Sequence, residues 1–186
     1  MLEVEAKYRA TDWDRVLALL NDWGAAADPA REDTDHYFNA PDRDFATTDE
    51  AVRLRRIGPV NYLTYKGPKR DADTKTRTEV ELRLADGAEA AATAVRLLTG
   101  LGYRPVAVVA KSRQVYRLKR SGFELEVCLD DVGAVGRFVE LEIQADESRF
   151  GEAKAVLLDA AAELGLTEQE RRSYLQLLLA QANGGR

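Results

Sequence analysis

Two hydrophobic rhythms alternate along this 186-residue chain. Residues 2–9 (Leu-Glu-Val-Glu-Ala-Lys-Tyr-Arg) switch between apolar and charged at every step, the period of a β-strand with one buried face. From Thr11 to Gly24 the period lengthens to that of a helix, with Trp13, Val16, Leu17 and Leu20 on one side and Thr11 or Asp12 placed as the N-cap. Alternation returns over 33–39, 51–57, 60–67 and 76–85. Asp86-x-x-Glu89 has the form of a capping box opening a helix to about 101, with Ala92, Val95 and Leu98 along one face and Gly102 as its stop. Strand patterns resume over 104–120, 122–130 and 137–145. Two helices follow, one from Asp146 to near Gly165, the other capped by Thr167-x-x-Glu170 and running to about Ala182. Residues 183–186 read as a frayed tail. About eight strands and four helices result, with no repeat or linker, so the pattern predicts one α+β domain over 1–182. Segments 68–75 and 131–136 are connections, the first polar, the second a hairpin between two long strands.

Strand side chains alternate between two faces, so each strand divides into two sets. One set is almost wholly ionic. It holds Glu3, Glu5 and Lys7; Arg53 and Arg55; Thr64 and Lys66; and Arg77, Glu79, Glu81 and Arg83. Lys111 and Arg113 follow, then Glu124, Glu126 and Asp130, then Glu140 and Glu142. An ordinary solvated sheet face mixes charged with neutral polar residues, whereas here acids and bases segregate by strand. The helices need an apolar partner and can cover the other set. The charged faces are then left to line an open concavity or the lumen of a closed barrel, and closure also removes unpaired sheet edges. Burying so many charges is costly unless they pair or bind a charged ligand.

Composition narrows the chemistry. The chain is 45% hydrophobic and 32% charged, which fits a folded domain. No apolar run has the length of a membrane span, and residues 1–5 lack the pattern of a secretory signal. Cys128 is the single cysteine, which excludes an internal disulfide and fits a reducing cytoplasm; His36 is the single histidine. Acid, base or metal chemistry must therefore rest on carboxylates, lysines, arginines and tyrosines. The net charge of −5 argues against a general nucleic-acid binder.

Glu3-Val4-Glu5-Ala6-Lys7 resembles the N-terminal Glu-x-Glu-x-Lys motif of the CYTH proteins, or triphosphate tunnel metalloenzymes. Tyr37-Phe38, Arg53-Leu54-Arg55, Tyr65-Lys66-Gly67-Pro68, Arg77-x-Glu79-x-Glu81, Lys111-x-Arg113, Leu129-Asp130 and Glu140-x-Glu142-Ile143 follow in the same order. The resemblance spans residues 2–143, and Arg172-Ser173-Tyr174-Leu175 looks like the class IV adenylate cyclase branch. It implies a closed eight-stranded antiparallel β-barrel with a charged lumen, flanked by helices. It also implies a triphosphate substrate such as ATP, tripolyphosphate or thiamine triphosphate. Glu3, Glu5, Glu140 and Glu142 are then the metal-site residues, and their hard oxygens favour Mg²⁺ or Mn²⁺. Lys7, Arg53, Arg55, Lys66, Arg77, Lys111 and Arg113 would grip phosphate. Lys66, Glu79, Glu81 and Asp130 would complete the catalytic set.

Two reactions fit equally. Attack of the ribose 3′-hydroxyl on the α-phosphorus gives cyclic AMP and pyrophosphate; attack of water on the terminal phosphorus gives hydrolysis. Class IV cyclases usually carry a His-Phe pair shortly before the acidic motif, and this chain shows none there. The alternative from another class is a non-catalytic nucleotide or polyphosphate sensor. Association into a homodimer stays open.

Overall fold

The computed structural model describes residues 2–184. Its strands are β1 (Leu2–Arg9), β2 (Ala26–Ala27), β3 (Arg31–Asn39), β4 (Ala51–Ile57), β5 (Val60–Lys66), β6 (Glu79–Arg83), β7 (Arg104–Arg120), β8 (Phe123–Asp131) and β9 (Arg137–Ala145). Eight of them form an antiparallel sheet in the order β1-β9-β8-β7-β3-β4-β5-β6, and the two-residue β2 pairs with β7. The helices are α1 (Asp14–Asp22), α2 (Phe45–Thr48), α3 (Ala88–Gly100), α4 (Phe150–Glu163) and α5 (Tyr174–Gly184).

The apolar halves of most strands supply the core, as the alternation predicts; β6 departs from this, its Val80 and Leu82 being exposed. Val4, Ala6, Leu125, Val127, Leu129, Val139, Leu141 and Ile143 pack beneath Val16 and Leu20 of α1 and Ala153, Leu157, Ala160 and Ala161 of α4. Leu98 and Ala91 of α3 cover Phe38, Val52 and Leu54 on the other arm of the sheet. Phe138, Tyr174 and Leu177 form a third cluster with Tyr37 and Val109, seating α5. Cys128 lies fully buried in β8, and burial pushes its thiol pKa well up.

The barrel is not fully closed. The sheet curls, but among the described residues its ends meet without a ladder, through a bridge between Glu3 and Arg77 and a bond from the Lys75 N–H to the Glu5 carbonyl (2.7 Å). Residues 70–76 turn back on themselves, with the Asp71 carboxylate accepting from the Asp73 and Thr74 N–H groups and Arg70 N–H donating to the Thr76 carbonyl at 2.8 Å. They cannot extend β6 along β1, so β6 is shorter than the alternation over 76–85 predicts. Further along, β1 is met by 168–170 instead: Arg9 N–H donates to the Glu168 carbonyl and Glu170 N–H to the Lys7 carbonyl, both at 2.8 Å.

That second contact removes the predicted cap at Thr167-x-x-Glu170. α5 starts at Tyr174, where Ser173 Oγ accepts from the Gln176 N–H (3.1 Å) and Gln176 Oε1 accepts from the Ser173 N–H (2.8 Å), a reciprocal capping box. It runs to Gly184, two residues past the boundary at 182 that the pattern predicts; Gly185 and Arg186 of the predicted tail lie outside the described residues. Asp86 does not cap α3 either. It pairs with Arg83 (2.9 Å), and the helix opens at Gly87, whose φ of +97° favours glycine. The short α2, capped by Asp44, has no counterpart in the sequence reading. Among the described residues no helix is long and apolar enough to cross a membrane.

Candidate active site

The ionic halves of the strands enclose a cavity of about 330 Å³. One wall is acidic because β1 and β9 are paired: the register sets Glu5 opposite Glu142 and Lys7 opposite Glu140, and Glu3 continues the row. The facing wall is basic, built from Arg53 and Arg55 on β4, Lys66 on β5, and Lys111 and Arg113 on β7. Lys75, Arg77, Glu79 and Glu81 fill the side where the sheet ends meet. Tyr37, Val106, Leu175 and Leu179 give part of the rim an apolar lining.

The basic side chains are held from behind by buried acids. Arg55 Nε and Nη2 donate to the two oxygens of Asp35, each at 2.7 Å, and Arg53 Nη1 reaches the same carboxylate at 3.4 Å. Arg113 makes a second fork onto Asp130 (2.6 and 2.5 Å), where Lys111 Nζ also donates at 3.1 Å. Asp33 adds buried negative charge 4.0 Å from Lys111 and 3.8 Å from Arg55. Burial would raise the Asp35 pKa, but Arg53 and Arg55 outweigh it and hold it well below the usual carboxylate range. The forks of Arg55 and Arg113 are thus taken up by Asp35 and Asp130, which fixes the guanidinium planes at the cavity wall and leaves their remaining N–H groups for phosphate oxygens.

The acidic wall is unevenly compensated. Glu140 takes Arg113 and Lys75; burial opposes ionisation, yet these cations bring its pKa well below normal. Lys75 also bonds to Glu5. Lys66 is shared between Glu79 and, at 3.5 Å, Glu3. Among the described residues Glu142 pairs with Arg113 alone, at 3.7 Å, and burial first and Glu3 second push its pKa up to about 8. Glu81 accepts from the Thr64 hydroxyl at 3.0 Å.

Two of the residues predicted for the site are not on the cavity wall. Lys7 is fully buried; its Nζ donates to the Arg172 carbonyl (2.6 Å) and sits 3.9 Å from the Tyr174 ring centre, and burial, with Lys75 nearby, lowers its pKa to about 7. Asp130 is likewise buried and also accepts from the Tyr174 hydroxyl at 2.8 Å. The other predicted residues line one space. Sequence reasoning passed over Lys75, Asp33 and Asp35. Parity was the available signal, because 75 continues the 77–79–81 row and 33 and 35 share the face of Tyr37.

Among the described residues no three His, Cys, Asp or Glu side chains converge closely enough to hold a metal ion. The donor set nevertheless fits a hard divalent cation. Four carboxylates share one wall, and the raised Glu142 pKa marks negative charge that the local cations do not neutralise.

A family model described as the CYTH domain matches residues 1–174. A Methanocaldococcus jannaschii protein named "Putative adenylate cyclase" is 32% identical over 95% of this chain and 98% of its own length. Adenylate cyclase CyaB of Aeromonas hydrophila is 32% identical over 94% of this chain and 87% of its own. A solved Pyrococcus horikoshii structure, 34% identical, covers 96% of this chain and 99% of its own with a TM-score of 0.84. A Hippeastrum structure described as a "Putative adenylyl cyclase" that reveals a dominant triphosphatase activity shares the fold at TM-score 0.67, 15% identity and coverage of 97% and 95%.

Proposed function

The chain belongs to the CYTH family, and from that premise we propose that it is a divalent-cation-dependent enzyme acting on a nucleoside triphosphate, converting ATP to cyclic AMP and pyrophosphate. One observation carries the reading: a row of carboxylates and a row of cations line one open-mouthed cavity. Carboxylates alone repel a triphosphate, so the acidic wall has a use only with cations between it and the substrate. The apolar rim of Tyr37, Val106, Leu175 and Leu179 offers the base a surface beside the phosphates. The names of the two relatives point the same way.

In this reading Arg53, Arg55, Arg77, Lys66, Lys111 and Arg113 hold the phosphate oxygens and stabilise charge gathering on the pyrophosphate. Asp35 and Asp130 act through them, fixing their orientation. Glu3, Glu5, Glu140 and Glu142 would hold Mg²⁺ or Mn²⁺, which neutralises phosphate charge and lowers the pKa of a bound oxygen. Glu81, tethered to Thr64, and Glu79, paired with Lys66, orient the attacking hydroxyl. Lys7 acts as a buried strut between β1 and Tyr174.

Hydrolysis of the terminal phosphate is the second reading, favoured by the activity described for the Hippeastrum protein. Incubating purified protein with ATP, tripolyphosphate and thiamine triphosphate, with Mg²⁺ or Mn²⁺, separates the two. Cyclic AMP with pyrophosphate supports the cyclase, and orthophosphate supports the hydrolase. Tight binding without turnover overturns both in favour of a sensor.

A further inference from the structure

Lys75 stands on neither wall of the sheet. It is carried on the strap of residues 70–77 that lies across the meeting point of the sheet ends, and its ammonium is inserted between Glu5 and Glu140, two members of the acidic row. The strap is a folded unit. Its Asp71 turn, the contact between the Thr74 and Thr76 hydroxyls (2.6 Å), and the burial of both threonines fix its shape. It is moored at its outer end by Lys154 to Asp73 (2.6 Å) and Arg171 to the Asp71 carbonyl (2.8 Å). Towards β1, the Glu3–Arg77 bridge and the Lys75 N–H bond are its backbone links. Lys75 also lies within the field of two other cations, Lys7 and Arg77, so its place depends on the two carboxylates.

Building on the reading above, we propose that Lys75 is a tethered competitor of the divalent cation: it occupies the Glu5–Glu140 pair in the resting protein, and cation entry expels it towards the phosphate-binding space. A divalent ion on that pair cancels the attraction holding Lys75 and leaves it facing like charges. At that end the Glu3–Arg77 bridge and the Lys75 N–H bond are the backbone links that must yield, whereas the outer moorings stay intact, so the strap pivots rather than unfolds. The displaced ammonium then joins Arg77 and Lys66 in facing the polyanion. Cation and triphosphate therefore favour each other's binding beyond their direct contact, and the coupling is reciprocal.

Titrating the intact protein with Mn²⁺ without nucleotide, and following free Mn²⁺ by its paramagnetic resonance signal, tests this directly. Lys75→Met removes the competitor and should tighten Mn²⁺ binding about tenfold. Lys75→Arg keeps the charge and should stay within about twofold of wild type. Hydrogen exchange on the wild-type protein gives an independent measure that needs no variant: Mn²⁺ should speed exchange of amides 70–77, and triphosphate added with it should not restore the resting protection. Unchanged or weaker Mn²⁺ affinity in folded Lys75→Met overturns the competition, as does unchanged exchange of the strap in metal-loaded wild type. Either result leaves the triphosphate reading standing, because turnover is measured separately. Mn²⁺ binding to neither protein overturns both the competition and the metal site.

Discussion

Asp35 and Arg55 are direct cross-strand partners on β3 and β4, and their side chains meet in a two-pronged ion pair whose bonds are both 2.7 Å. Both are buried, and Arg53 leans on the same carboxylate. The pair fixes the plane of one guanidinium at the cavity. Arg55→Ala should weaken triphosphate binding by about 1.5–3 kcal/mol, the range for a charge-assisted hydrogen bond. Calorimetric titration with a non-hydrolysable ATP analogue checks this; unchanged affinity removes Arg55 from the phosphate clamp.

Glu140→Gln keeps the shape of the side chain but takes one charge from the acidic wall. Metal-dependent turnover should fall at least about a hundredfold while the far-ultraviolet spectrum stays that of wild type, since the apolar core lies on the other face of the sheet. A variant that unfolds yet keeps full activity per folded molecule contradicts the assignment.

Glu142 links stability to pH. Its carboxyl has an ordinary value of 4.5 and a folded value of about 8, so the native state holds a proton that the unfolded state has released. Between those limits the metal-free protein loses stability as pH rises. Glu142→Gln removes that loss and should be more stable than wild type by about 1–3 kcal/mol at pH 8, with a much smaller gap at pH 5. Urea denaturation in the presence of a chelator reads both; an equal gap at the two pH values counts against the shift.

The Tyr174 hydroxyl donates to Asp130 while its ring supports Lys7. Tyr174→Phe should cost about 1–3 kcal/mol, because it strands part of a buried carboxylate but leaves the ring in place. Tyr174→Leu, which also loses the cation–π contact, should cost more. Denaturant midpoints for the two variants give the comparison.

Ser173→Ala should destabilise the protein by about 1 kcal/mol, whereas Thr167→Ala should leave the denaturation midpoint nearly unchanged. The reverse order would return the helix start to Thr167.

That last pair shows where the sequence could be read and where it could not. Strands with one oily and one ionic side announce themselves, and parity placed Glu3, Glu5, Glu140 and Glu142 on the ionic faces of their strands; that they form one set was implied by the family resemblance, and the pairing of β1 with β9 puts them on one wall. Caps are local patterns that tertiary contacts override. Thr167-x-x-Glu170 had the right letters, but the main chain there is committed to β1, and the same chemistry was realised at Ser173 and Gln176. Asp33 and Asp35 escaped notice because β3 carries polar residues on both faces, so alternation was faint. Lys75 lay just outside the alternation read over 76–85, in a polar stretch with no strong apolar residues to set a period, so its parity with Arg77 and Glu79 went unused. Closure of the sheet was overstated because the turn at Asp71 diverts the chain just where a complete ladder needs it straight.

Cys128 makes the molecule its own strain gauge. The sole thiol sits at the middle of the sheet with no accessible surface and a pKa that keeps it protonated, so a thiol-specific dye finds nothing to react with while the strands stay together. Cys128 shares the face of Glu126 and Asp130 and lies beside Arg113, Glu140 and Glu142, so its labelling rate in the unaltered protein clocks how often that charged floor opens, and a ligand that holds the floor shut will slow the clock without any engineered probe.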